Sequence, residues 1–185
     1  VTLTASNTGG LSSTVTNAGT AAAGETSTLT MGNSDTEAQA NELTATGTVD
    51  TLVVNGGTGL DILTIGAGDH KTITIDLGTS IGADLDKVDF DAFDATGANS
   101  ATHTGLIINL GAATTVDGDA IAANTAVQYD DNAAADAKVD TTGAAITFSG
   151  VESVDGTAQA DYIITNSSGS TVAGGASDDI IVSGA

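Results

Sequence analysis

The chain has no cysteine, no proline and no tryptophan among its 185 residues, and aromatic side chains make up only 3% of it. Without cysteine, neither disulfide bonds nor thiolate metal sites can form. Without proline, no strand position lacks the N–H that a long hydrogen-bonded ladder needs. A rounded globular core normally uses aromatic volume. The composition therefore favours a flat or solenoidal all-β architecture with a thin core of Val, Ile, Leu and Ala.

Basic residues are also scarce, with 3 Lys and Arg against 24 Asp and Glu, for a formal net charge of -21. Three cations cannot neutralise a phosphate track, so nucleic-acid binding is excluded, and attraction to an anionic membrane is disfavoured for the same reason. No apolar run is long enough to span a bilayer, so we expect no direct membrane insertion. Repulsion among these charges opposes compaction, and we expect bound divalent cations to offset it.

Short β-branched clusters separated by Gly, Asn, Asp and Ser predict many brief strands. Nine are clear: Val1–Thr4, Ser27–Met31, Thr51–Val54, Ile62–Ile65, Thr72–Ile75, Leu106–Leu110, Ala145–Phe148, Tyr162–Thr165 and Ile180–Val182. Only Asp35–Leu43 and Ala133–Lys138 resemble helices, and isolated helices this short are marginal. No helical pattern separates successive strands, which argues against a βαβ fold.

The spacing of the C-terminal strands is regular. Four triplets begin at Glu152, Asp161, Ser170 and Asp179, a constant step of nine residues. Each nine-residue unit is then one short strand plus one turn, with consecutive units on opposite faces of a flattened coil. Units eighteen residues apart are expected to stack at the spacing of neighbouring strands, about 4.8 Å.

A second, less regular array is led by Leu43, Leu52, Leu63 and Ile73, with steps of nine, eleven and ten. Between the two arrays no clean period is present. We therefore divide the chain into an irregular β-solenoid segment (1–80), a β-rich insertion or connector (81–142) and a nonapeptide array (143–185).

Two stretches carry a nonapeptide motif, G-G-x-G-x-D-x-U-x. Residues 56–64 (GGTGLDILT) match it at each fixed position, and residues 174–182 (GGASDDIIV) match it with Ser177 in place of one glycine. Residues 148–161 (FSGVESVDGTAQAD) look like the segment that often precedes such repeats. On these motifs the chain resembles the repeats-in-toxin family, of the kind found in Gram-negative surface-layer proteins. The resemblance implies a parallel β-roll that binds Ca²⁺.

Physical chemistry supports calcium in such turns. Successive glycines allow backbone carbonyls to point inward, and one carboxylate per turn helps to complete the six to eight oxygens that calcium prefers. Asp161 and Asp179, eighteen residues apart, are expected to stack with an ion between them. On the opposite face Glu152 would stack on Ser170, a weak ligand. The candidate metal ligands are Asp161, Asp179, Gly156, Ala158, Gly174, Ala176, Asp178, Gly57, Gly59, Asp61 and Asp69.

Two further features leave alternatives open. Asp61 has no acidic neighbour eighteen residues away, so its partner would have to be Asp50 or Asp69. The acidic run Asp84–Asp94 alternates carboxylates with Val88 and Phe90. It is either a metal site or, as we favour, a solvated edge strand whose charges discourage pairing with other chains.

No nucleophile elbow or zinc-binding helix motif is present, and carboxylates are too abundant for any one pair to indicate catalysis. We therefore expect no enzyme, but a calcium-binding structural segment of a secreted bacterial cell-surface or matrix protein that self-assembles. The partners expected are other copies of the protein and cell-surface polysaccharide. The alternatives are a calcium-dependent adhesin module and a non-catalytic export or stabilising domain of a secreted protease or lipase.

The sequence given stops at residue 185, straight after the repeat at 174–182, and shows neither a polar cap nor an amphipathic helix there. Because the last strand of a solenoid leaves backbone groups unpaired, we expect either that further repeats follow or that this end docks against another subunit.

Overall fold

The computed structural model describes residues 2–4, 12–17, 26–32, 40–47, 49–66, 70–80, 83, 85–91, 93, 105–129, 139–140 and 145–184. Within these ranges all regular structure is β, which confirms the all-β class. In this part of the chain no helix is long and apolar enough to cross a membrane.

The larger of two main sheets, the long sheet, contains ten strands. In spatial order they are Thr2–Thr4 (β1), Thr26–Thr30 (β3), Val49–Thr58 (β5), His70–Thr79 (β7), Ala145–Ser149 (β14), Thr125–Tyr129 (β12), Gly105–Asn109 (β9), Tyr162–Ile164 (β16) and Ile180–Val182 (β18), with Val139–Asp140 (β13) beside β12. Pairing is parallel except around β12, which runs antiparallel to β9, β13 and β14.

The smaller main sheet, the short sheet, is entirely parallel. In spatial order its six strands are Ser12–Asn17 (β2), Asn41–Gly47 (β4), Asp61–Ile65 (β6), Lys87–Asp89 (β8), Ser153–Asp155 (β15) and Thr171–Ala173 (β17). A separate two-stranded hairpin consists of Thr114–Val116 (β10) and Asp119–Ile121 (β11). All nine strands predicted from the sequence are present. Strands β5 and β7 are 10 residues long, so both extend well beyond the predicted Thr51–Val54 and Thr72–Ile75; the other seven differ by at most about one residue at either end.

Successive strands alternate between the two main sheets from β1 to β8, and again from β14 to β18. Side chains alternate between the two faces of each strand, so one set points into the space between the sheets. In the short sheet these residues pair in register as one column: Leu43, Leu63, Val88, Val154 and Val172. In the long sheet a matching column consists of Leu52, Ile73, Ile146, Ala126, Ile108, Ile163 and Ile181. Buried members of both columns belong to a single apolar core.

The strand register confirms the spacing read from the sequence. Ser153 pairs with Thr171 in the short sheet, and Tyr162 pairs with Ile180 in the long sheet, both eighteen residues apart. In the N-terminal array Leu43 pairs with Leu63, and Leu52 pairs with Ile73, on alternate sheets as their spacing predicts. Within the helix candidate Asp35–Leu43, the last three residues belong to strand β4. Its other residues, apart from residue 40, and the candidate Ala133–Lys138 lie outside the described residues.

The stretch between the two arrays adds strands to one sheet only. In the short sheet β8, β15 and β17 are direct neighbours, whereas in the long sheet β12 and β9 lie between β14 and β16. The long sheet therefore contains two extra strands at a level where the short sheet has none. The outer face of these strands has a second apolar cluster, in which Ile107, Tyr129 and Ile164 pack with Val116 and Ile121 of the β10–β11 hairpin.

The prediction of a solvated edge strand in Asp84–Asp94 was wrong. Strand β8 lies inside the short sheet between β6 and β15, and both Val88 and Phe90 are completely buried. The reason is that the charges on β8 find partners: the Lys87 ammonium pairs with the carboxylate of Asp155 on the neighbouring strand. Asp84 and Asp94 lie outside the described residues.

Because β8 is central, Phe90→Ala should be strongly destabilising. We expect a loss of about 3–5 kcal/mol in the free energy of unfolding, since a large core side chain is removed. The matched control is Leu85→Ala, five residues earlier and 40% exposed, which should change stability by about 0.5 kcal/mol or less. Urea unfolding followed by circular dichroism measures both, and equal losses would contradict the central position of β8.

Candidate functional site

Asp161 ends the turn between β15 and β16, and it is completely buried. Its Oδ2 accepts the N–H of Thr157 at 2.6 Å, and its Oδ1 accepts the N–H of Leu106 at 2.6 Å. The Thr157 hydroxyl lies 3.0 and 3.1 Å from the same two oxygens. The carboxylate therefore satisfies one backbone donor of its own turn and one of the neighbouring strand β9.

Asp179 repeats part of this arrangement one coil later, because its Oδ1 accepts the N–H of Asp161 at 3.0 Å. The eighteen-residue spacing thus brings Asp161 and Asp179 next to each other. Leu106, Asp161 and Asp179 occupy equivalent positions in the stack, and we call them the long-sheet row. Asp161 and Asp179 directly precede β16 and β18, and Leu106 lies near the start of β9. In this row each carboxylate accepts the backbone N–H of the residue before it in the stack.

A second set of side chains, the short-sheet row, consists of the carboxamide of Asn41 and the carboxylates of Asp61, Asp86 and Glu152. The N–H of Asp61 donates to Asp86 Oδ1 at 2.8 Å, and the N–H of Asp86 donates to Glu152 Oε2 at 3.0 Å. Asp61 accepts from Asn41 Nδ2 at 2.8 Å and from the N–H of Gly57, in its own turn, at 2.9 Å. The two rows therefore use the same device on opposite sheets.

Glycine is required in these turns because the carboxylate lies over it. A Cβ at Gly156 would collide with the carbonyl oxygen of Gly174 and with Oδ2 of Asp161, and a Cβ at Gly174 would collide with the carboxylate of Asp179. At the fourth motif position Gly59 has φ 103°, and Ser177 in the equivalent place has φ 75°. Ser177 thus adopts a left-handed conformation that glycine adopts without strain.

The two C-terminal turns contact each other through their backbones. The N–H of Ala176 donates to the carbonyl of Thr157 at 3.3 Å, and the Ser177 hydroxyl donates to the carbonyl of Ala158 at 3.2 Å. The structure therefore brings the predicted ligands Gly156, Ala158, Gly174, Ala176, Asp178, Asp161 and Asp179 into two adjacent turns. Gly57, Gly59 and Asp61 form a separate turn at the short sheet.

The structure gives Asp61 neighbours that the sequence did not predict. Its neighbours in the short sheet are Asn41 and Asp86, whereas Asp50 belongs to β5 of the long sheet. Insertions between strands displace the acidic positions from the eighteen-residue period, so the relevant offsets here are twenty and twenty-five residues. Asp69 lies outside the described residues.

Burial dominates the electrostatics of both rows. Desolvation raises the pKa of Asp161 to about 6, against hydrogen bonds from Leu106 and Thr157 that lower it. Desolvation also raises the pKa of Asp86 to about 7, and the charges of Asp61 and Glu152 add to this. The pKa of Asp61 is raised by burial as well. These carboxyl groups are therefore more easily protonated in the folded protein than in water.

Sequence reasoning missed Asn41 and Asp86 as members of a row and treated Glu152 only as a neighbour of Ser170. A local signal exists, since each lies directly before or at the start of a short strand, in the position that Asp161 and Asp179 occupy. Spacing alone could not find them, because Glu152 follows Asp86 by 66 residues across the insertion.

The fit of calcium to these residues is uneven. Asp61 and Asp161 are completely buried, and both oxygens of each already accept hydrogen bonds. Asp178 is exposed and Asp179 is partly exposed, so their carboxylates are accessible to an ion from solvent. Within the described residues, no group of three or more His, Asp or Glu side chains is close enough to hold a metal by itself. A cation here would need backbone carbonyl oxygens in addition.

No known protein family, no curated protein and no solved structure matches this chain.

Substitution of the row carboxylates by alanine tests their structural role. Asp161→Ala leaves the N–H groups of Thr157 and Leu106 buried without an acceptor, and each such donor costs about 1–3 kcal/mol. Asp179→Ala leaves one donor, so it should cost less. The control is Asp178→Ala, an exposed neighbour that should change stability by about 0.5 kcal/mol or less. Denaturant unfolding in chelator measures all three, and equal effects would contradict the row geometry.

Proposed function

We propose that the chain is a non-catalytic structural segment of a secreted bacterial cell-surface protein, built as a parallel β-solenoid of the β-roll type with two strands per coil. The observation that carries this proposal is the pairing of β15 with β17 and of β16 with β18 at a constant offset of eighteen residues on opposite sheets. Such an array is extended by repetition, which suits a surface or matrix component.

We place the calcium site of this proposal at the paired turns Gly156–Asp161 and Gly174–Asp179. Asp178 and Asp179 would supply carboxylate oxygens, and the carbonyl groups of Gly156, Ala158, Gly174 and Ala176 are the candidates for the remaining oxygens that calcium requires. Asp161 shapes the turn as a buried acceptor. Asp61 is not included, because its carboxylate is buried and already accepts two hydrogen bonds. The bound ion would offset part of the -21 charge.

Other copies of the protein are the proposed partner, at a location outside the cell, with cell-surface polysaccharide as a second class of partner. Among the described residues, Ile180 and Ile181 of β18 are 45% and 50% exposed, although Ile181 continues the buried core column. An apolar strand at the edge of a sheet favours addition of a further strand, which either a following repeat of the same chain or another copy would supply.

Calcium should raise the stability of the folded chain. Extracellular calcium modules bind with dissociation constants of roughly 0.1–1 mM, so about 10 mM calcium should add about 1.4–2.7 kcal/mol per site by mass action. Thermal unfolding in chelator and in calcium measures the gain, with sodium chloride at matched ionic strength as the ion control. Asp178→Ala should reduce the gain, whereas Asp91→Ala, an exposed carboxylate on another loop, should not. An identical melting temperature in chelator and calcium would refute the calcium site.

Assembly should depend on calcium more than on ionic strength alone. Exposed like charges are screened by any salt, but only a divalent ion can bridge two acidic surfaces. Light scattering and electron microscopy should show larger particles in calcium than in sodium chloride at matched ionic strength. Equal assembly in both salts would remove the bridging role, and a strict monomer in both would remove the self-assembly proposal.

A further inference from the structure

The joint between the two arrays contains an unusual hydrogen-bond arrangement. The Ser80 hydroxyl oxygen, just after β7, lies 2.9 Å from Glu152 Oε2 and 3.2 Å from Asp86 Oδ2. Asp86 is completely buried directly before β8, and Glu152 precedes β15. The backbone N–H groups of Glu152 and Ser153 both donate to the carbonyl of Asp86, at 3.1 and 2.9 Å. These contacts join the coils on either side of the insertion.

One hydroxyl cannot donate to two carboxylates. Ser80 has a single hydroxyl hydrogen, and an ionised carboxylate can only accept. If Asp86 and Glu152 were both ionised, one of the two short oxygen–oxygen contacts would have no hydrogen in it. If one carboxyl group keeps its proton, that group donates to the Ser80 oxygen while Ser80 donates to the other, and both contacts become hydrogen bonds.

The surroundings of Asp86 favour the protonated arrangement. Asp61 approaches from β6 and Glu152 from the start of β15, so the titratable groups that face Asp86 are both acidic. Lys87, the next residue in the chain, pairs with Asp155. Burial, together with these two negative charges, raises the pKa of Asp86 to about 7.

We propose that Asp86 keeps its proton in the folded protein and donates it to the Ser80 hydroxyl oxygen, that Ser80 in turn donates to Glu152, and that these two hydrogen bonds close a pH-sensitive clamp between β8 and β15. Loss of the proton leaves two negative charges and one unfilled oxygen–oxygen contact at the joint. The clamp is therefore tight in mildly acidic solution and loosens as the pH rises past neutrality. It contains none of the residues of the proposed calcium site and acts independently of calcium.

The pH dependence of unfolding, measured in chelator, tests the clamp. The folded pKa is raised above the ordinary value of 3.8, so between about pH 4 and pH 7 the folded state holds one proton more than the unfolded state. The unfolding equilibrium constant should then rise with pH, by up to about tenfold per pH unit from this proton, and level off above pH 7. Asp86→Asn supplies an amide hydrogen to the Ser80 contact permanently, so it should remove this contribution and be more stable than the wild type at pH 8. Glu152→Gln keeps an oxygen that accepts the N–H of Asp86 but removes one of the two charges beside Asp86, so it should only reduce this contribution.

Two further variants separate the clamp from general acidity. Glu42→Gln changes an exposed carboxylate on β4 of the same sheet and should retain the wild-type slope. Ser80→Ala should destabilise more at pH 5 than at pH 8, because the hydroxyl makes two hydrogen bonds only when the proton is present. A wild-type slope in Asp86→Asn would overturn the proposal.

Infrared spectroscopy keeps the test decisive if a variant does not fold. The folded wild type at pH 5.5–6 should show a carbonyl band of a protonated carboxyl group that is lost by pH 8. The pKa of Asp161 is also raised, to about 6, so Asp161 contributes to this band, and Asp86→Asn should make the band smaller without removing it. A wild-type spectrum without the band at pH 5.5–6 would overturn the proposal by itself.

Discussion

The structure depends on finding hydrogen-bond acceptors for the backbone N–H groups at the starts of several strands. These groups lie at the corners of the coils, where the pairing with the neighbouring strand is only beginning. A buried N–H must have an acceptor, and here a carboxylate from the next coil supplies it. Asp161 accepts from Leu106, Asp179 from Asp161, Asp86 from Asp61 and Glu152 from Asp86. Part of the strongly acidic composition thus serves the interior of the protein, and these acids join coil to coil.

Buried carboxylates impose two consequences on the rest of the sequence. Their turns need glycine at positions such as Gly156 and Gly174, where no Cβ can fit beside the carboxylate and the neighbouring backbone. Their negative charge is also costly in the interior. Desolvation therefore raises the pKa of Asp86 and of Asp161, so both are more easily protonated than a carboxyl group in water. The apolar columns, in which Leu63 pairs with Val88 and Ile108 pairs with Ile163, bury apolar surface. The free energy gained by this burial offsets the cost of the buried carboxylates.

How far the fold follows from the sequence depends on the range of the signal. The step of nine from Glu152 to Asp179 and the leading residues Leu43 to Ile73 predicted sheet alternation and register, because each coil repeats a local pattern. Strand β8 was misassigned to an edge because its charges suggested solvent, and its ion pair with Asp155 comes from a segment 68 residues later. The short-sheet row was missed for the same reason: the insertion separates Asp86 from Glu152, and no local period connects them.

The two extra strands make the long sheet wider than the short sheet at one level of the stack. Each strand adds about 4.8 Å, so two add about 10 Å on one side, whereas β15 and β17 pair directly on the other side. This difference in width has to be taken up between the coil of β14 and β15 and the coil of β16 and β17, by curvature of the long sheet or by divergence of the coils. Either way, the uniform repeat of the stack is interrupted at that level.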